Sequence, residues 1–127
     1  MEMEEYLFIN SRDEFLRLNI HQIVYLEADG NYTNIISANK LKSVVSMTLG
    51  KMQNLLSEKL KEKASVFARV GKRYIINLNY IHSINILHQK LILSDEHTFA
   101  FQLNISKDAL KALKVCFIEM AVKEQIE

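Results

Sequence analysis

Between Val66 and Leu78 the chain alternates its side chains in two short runs, broken at Gly71-Lys72-Arg73. Val66, Ala68 and Val70 alternate with Phe67 and Arg69; Tyr74, Ile76 and Leu78 alternate with Arg73, Ile75 and Asn77. A period of two sends successive side chains to opposite faces of a sheet, so each run predicts a strand. Gly71 can take a positive φ without a Cβ clash, which lets the chain reverse and leaves Lys72 and Arg73 at the tip. Asn77 and Asn79 predict a second turn before a new strand begins at Ile81. The basic tip is either a solvated hairpin end or a pair of cations aimed at a ligand, and these residues alone leave both open.

The same grammar runs through the rest of the chain. Residues 6–9 and 14–18 predict two strands about a polar turn, and His21-Gln22-Ile23 a helical turn. Residues 23–28, Ile-Val-Tyr-Leu-Glu-Ala, end in Asp29-Gly30, a strong hairpin signal; residues 32–38 return, and residues 41–45 follow the Asn39-Lys40 turn. Leu49, Met52, Leu56 and Leu60 form one stripe at helical spacing, with Ser46 or Thr48 as N-cap. Strands at 81–87, 91–93 and 98–103 lead to a terminal helix starting near residues 104–106, with the stripe Leu110, Leu113, Phe117 and Met120. Residues 115–122 are apolar over more than one stripe: they either pack under the sheets or meet another subunit. Turns this short join antiparallel neighbours, so the fold class expected is mainly β, short antiparallel sheets with one or two helices.

At 127 residues one domain is expected. Its organisation reads as an N-terminal extension at 1–10 with a short strand, a body at 11–113, and the end of a helix at 114–127 that offers a dimer contact. No run reaches the ~18 apolar residues of a membrane span, so no membrane partner is expected. The acidic start, Met-Glu-Met-Glu-Glu, is unlike a secretory leader, and the single Cys116 allows no internal disulfide. A cytoplasmic setting follows. The formal charge of +1 hides an asymmetry. Residues 40–73 hold nine Lys or Arg against Glu58 and Glu62, a local excess of seven positive charges. Phosphate attraction acts over about 8 Å, so local charge outweighs the sum.

Nothing predicts catalysis. The histidines His21, His82, His88 and His97 lie on different elements without metal-ligand spacing; His82 and His88 share a strand face but lack a third ligand. Cys116 sits in an apolar helical run, the setting of an inert core thiol. Glycines 30, 50 and 71 are isolated, so there is no phosphate loop. Glu27 and Asp29 read as a strand acid and a turn residue. No enzyme activity, metal or cofactor is expected.

Two segments together resemble the LytTR family of DNA-binding domains of bacterial transcription regulators, which includes response regulators. Residues 23–33, Ile-Val-Tyr-Leu-Glu-Ala-Asp-Gly-Asn-Tyr-Thr, look like its first signature. Residues 67–77, Phe-Ala-Arg-Val-Gly-Lys-Arg-Tyr-Ile-Ile-Asn, look like its second, in the right order and about forty residues on. The likeness covers roughly residues 11–113. It implies an elongated array of short antiparallel sheets whose loops enter successive major grooves of double-stranded DNA at promoter repeats, with a homodimer as one arrangement.

Carried over by position, the resemblance implies a first contact loop with Asn31, Thr33 and Asn34, and a second with Lys72 and Arg73, Arg69 close by. A third would lie around residues 102–104, ending at Asn104 with Lys107 beyond. Lys or Arg can bond guanine N7 and O6, and Asn31 or Asn34 adenine. Thr33 would fix register on phosphates, and Lys40 and Lys42 would add counterion release. Tyr32 and Tyr74 are expected to pack. The chain departs from the family pattern at Gly71, where His is frequent, and in the third loop, which has Gln102-Leu103-Asn104 in place of Ser-Arg. Too few residues precede Ser11 for a receiver domain, so a freestanding regulator or a domain of a larger one is expected. The alternative is a protein-interaction or dimerisation module on the same scaffold.

Overall fold

The computed structural model describes residues 5–121. Ten strands alternate with short turns and two α-helices, in the order β1 (Tyr6–Asn10), β2 (Phe15–Asn19), β3 (Ile23–Asp29), β4 (Tyr32–Ser37), β5 (Lys42–Val45), α1 (Leu49–Leu60), β6 (Phe67–Val70), β7 (Tyr74–Asn77), β8 (Ile81–Asn85), β9 (Lys90–Ser94), β10 (Ala100–Asn104) and α2 (Lys107–Ala121). The expected architecture, short antiparallel sheets with one or two helices, is the one found, with two. The strands form a central five-stranded sheet in the order β5-β4-β3-β7-β6, a three-stranded sheet β10-β9-β8 and a ribbon β1-β2. Every pairing is antiparallel.

The central sheet is covered on both faces, and strand alternation decides which side chain goes where. On β7, Tyr74 and Ile76 enter one core while Ile75 enters the other. The first core lies between the central sheet, the three-stranded sheet and α2, where Tyr25, Ile76, Leu91, Leu93, Phe99 and Leu110 meet. The second lies under α1 and the ribbon, joining Leu7, Leu26, Ile35, Met52 and Leu56. The stripe Leu49, Met52, Leu56 and Leu60 is buried along α1 as its spacing requires. Thr48 Oγ1 accepts from Lys51 N at 3.3 Å and caps that helix. Ser106 caps α2 in the same way, its Oγ accepting from Ala109 N at 3.3 Å.

Asn77 closes β7 as expected, and it is also buried. Its Nδ2 donates to Ile23 O at 2.8 Å, and its Oδ1 accepts from Asn79 N at 3.0 Å. The Ile23 carbonyl lies where the β3–β4 register shifts, so the Asn77 amide fills a gap left in the ladder.

Three expectations are corrected. Cys116 is exposed, because α2 packs through Ala109, Leu110 and Leu113 while its later turns present Val115, Cys116 and Ile118 to solvent. Tyr32 is exposed where packing was expected; it opens β4 at the mouth of a shallow cleft shared with Ile9, Leu16 and Val44. His82 is on β8 but His88 is in the following turn, so the two share no strand. The side chain of Met120, expected in the α2 stripe, and residues 1–4 and 122–127 of the expected terminal segments lie outside what is described.

Candidate nucleic-acid interface

Strand polarity sorts the turns of the central sheet into two groups. β3 runs towards the Asp29-Gly30-Asn31 turn, and β6 runs towards Gly71-Lys72-Arg73 at the same end. Both glycines take positive φ, 60° at Gly30 and 64° at Gly71. A backbone bond ties the two turns together, Ala28 N donating to Arg73 O at 2.8 Å. The start of α2 completes this end: Asn104, Ile105 and Ser106 share a small cleft with residues 70–74, and Ala109 lies against Gly71. The β8–β9 turn joins it through Ile105 N, which donates to Gln89 O at 3.1 Å.

The side chains at this end fall into two kinds. Among the described residues, no protein group pairs with the Asn31 amide or with the Lys72 and Lys107 ammoniums, and all three residues are exposed. The arginines are braced. Arg73 Nη2 donates to Glu27 Oε2 at 2.7 Å, and its Cζ stands 5.5 Å from the Tyr74 ring centroid. Arg69 points to the opposite face, its Nη1 donating to Gln53 Oε1 at 2.9 Å and its Nη2 to Lys72 O at 3.0 Å. Arg69 therefore buttresses the turn from the α1 side. The Tyr74 hydroxyl is held above its ordinary pKa, first by burial and then by the Glu27 carboxylate, so it stays a neutral donor.

Two residues of the first expected loop are not on the surface. Thr33 is 0% exposed, its Oγ1 donating to Met47 O at 2.8 Å, which joins β4 to the segment entering α1. Asn34 is 7% exposed, opposite Glu27 across the β3–β4 pair. Both are sheet residues, because β4 is an inner strand with cover on both faces. Lys40 stands apart from this end. It sits in the β4–β5 turn at the far end, beside Tyr80, Asp95 and Thr98. Lys42 stands at the same end of the edge strand β5, with its side chain exposed. The basic excess at 40–73 is thus dispersed, with Lys59, Lys61 and Lys63 around the C-terminal end of α1.

Two residues that the sequence did not single out enter the site. Lys90 pairs in register with Asn104, and its Nζ donates to Asn104 Oδ1. Glu27 was read as an ordinary strand acid, yet it holds Arg73. Neither had a sequence signal, since both partners are distant along the chain.

The far end is built differently. The Asp95 carboxylate accepts from the Thr98 hydroxyl and from the N–H groups of His97, Thr98 and Phe99. Those bonds, the Thr98 hydroxyl foremost, hold it well below the usual carboxylate range. Tyr80 donates its hydroxyl to His21 O at 2.6 Å.

Among the described residues no helix is long and apolar enough to cross a membrane. A comparison with curated proteins found no match. Among solved structures, the chain is similar to the LytTr DNA-binding domain of a Bacillus cereus protein described as a methyl-accepting/DNA response regulator, at 19% identity and a TM-score of 0.60 over 87% of this chain and 94% of that one. That likeness establishes the fold. The family model for the LytTr DNA-binding domain matches residues 13–117, most of the chain and both signature segments. The chain therefore belongs to the LytTR family and is, in general terms, the DNA-binding domain of a regulator.

Proposed function

We propose that this chain binds double-stranded DNA sequence-specifically through the end of the central sheet that carries Asn31, Lys72, Arg73, Asn104 and Lys107. The observation that carries the proposal is the convergence of three turns whose outer side chains have no protein partner or a single brace. Lys72 and Arg73 enter a major groove and bond guanine N7 and O6, while Asn31 offers the donor and acceptor that adenine matches. Lys107 and Lys90 lie on phosphates and set register. Asn104 joins them at the next groove. Lys42 contributes long-range attraction only, and Lys40, Thr33 and Asn34 make no contact. The chain acts as a bacterial transcription regulator in the cytoplasm, on promoter repeats and as a homodimer.

Selection of bound sequences from random duplexes, followed by a salt titration on the selected site, tests this. Log affinity is expected to fall linearly with log salt, by about 0.9 per phosphate contacted. Failure to enrich any duplex at low salt overturns the proposal.

One observation favours a second reading, a dimerisation or protein-interaction module. Val115 is 58% exposed and Ile118 44% exposed on the outer face of α2. A dimer by light scattering, together with no retention of DNA, would select that reading.

A further inference from the structure

Glu27 stands on the strand that feeds the first turn, yet its carboxylate reaches the arginine of the second. Arg73 Nη2 lies 2.7 Å from Glu27 Oε2, and the Tyr74 hydroxyl lies 3.4 Å from the same oxygen. The Tyr74 ring faces the guanidinium, and the Ala28 N–H holds the Arg73 carbonyl. Arg73 is thus held at its backbone and at one nitrogen, with the Tyr74 ring beneath its guanidinium carbon, while its side chain stays 66% exposed. A carboxylate at this end weakens the pull on phosphate. With Arg73 66% and Glu27 25% exposed, the pair is partly open to water, and a screened pair of this kind contributes modestly to folding. Both facts argue for a role outside stability. An arginine ordered before binding loses less freedom when its remaining N–H groups meet a planar acceptor pair.

We propose that Glu27 is a positioning residue for DNA recognition. It holds Arg73 in one orientation for a base edge, so it lowers general phosphate attraction and raises sequence discrimination. This rests on the reading of the Gly71 turn as a DNA contact.

The test measures affinity for a duplex selected from random sequences and for a scrambled duplex of equal length. Glu27→Gln removes the charge and is expected to bind the scrambled duplex more tightly. Its ratio of selected to scrambled affinity is expected to drop roughly five-fold or more, within the range of one good bidentate contact. Glu27→Asp keeps the charge but shortens the reach, and is expected to lower the ratio without tightening the scrambled complex. In an Arg73→Ala background neither change should lower the ratio further. Thermal midpoints of both Glu27 variants should match the parent, and Glu27→Asp decides the matter if Glu27→Gln is destabilised. An unchanged ratio in Glu27→Asp, or an equal drop with and without Arg73, overturns the proposal while leaving the interface intact. An Arg73→Ala variant that binds both duplexes like the parent overturns the interface reading, and this proposal with it.

Discussion

The two ends of the central sheet use the same residue types for opposite purposes. At the far end polar side chains turn back on their own backbone: Asp95 gathers three N–H groups and a hydroxyl, Asn77 fills a gap in the ladder, and Tyr80 bonds a carbonyl. At the near end Asn31, Lys72 and Lys107 face outwards without partners among the described residues, and Glu27 and Gln53 brace the arginines from beneath. A polar group satisfied internally has little left for a ligand, whereas an exposed, unpaired cation costs little and keeps its donors free. The contrast separates a surface that holds the fold from one available to a partner.

Four substitutions probe that division. Ile76→Ala strikes the frame shared by both ends. Ile76 is fully buried between the two sheets, so a loss of about 2–5 kcal/mol is expected, read by denaturant unfolding, with DNA binding lost alongside. Asn77→Ala damages the far end alone. It strands the Ile23 carbonyl and is expected to cost about 1–3 kcal/mol, while protein that remains folded keeps its affinity. Lys72→Ala should do the reverse, leaving the thermal midpoint in place while affinity for the selected duplex falls by about 1–3 kcal/mol. Lys40→Ala, equally basic but at the far end, should change neither; an equal effect from Lys40 and Lys72 in a binding titration would break the comparison.

The smallest effect concerns pH. The folded-state pKa of Asp95 lies below its unfolded value of about 3.9. Its contribution is therefore present above that value and is lost as pH falls through the depressed folded value. Asp95→Asn should narrow the difference between neutral and acid thermal midpoints, and DNA affinity at neutral pH should not move.

Much of the fold was legible in the residues. Alternation about Gly71 predicted β6 and β7, Asp29-Gly30 predicted the β3–β4 turn, and the spacing of Leu49, Met52, Leu56 and Leu60 predicted α1. Of the site, Asn31, Lys72 and Arg73 are expected in turns where the structure holds them exposed, while Lys107, expected beyond the third loop, is exposed at the start of α2. Thr33 and Asn34 were misplaced, because alternation names two faces and does not say whether either is covered. Cys116 was misplaced for a related reason: an apolar run marks what can be buried, and α2 outruns the surface it packs against.

The sequence by itself determined the elements, the turns and the family, since these follow from local periodicity, backbone preference and two contiguous signatures. Tertiary structure decided which cations act together. Residues 40–73 carry an excess of seven positive charges along the chain, but pairing sends Lys40 to one end, Lys72 and Arg73 to the other, and Arg69 to the opposite face. Glu27 and Arg73, 46 residues apart, meet only because β3 pairs with β7. Charge acts through space over a few ångströms, and strand order, which no local pattern encodes, sets those distances.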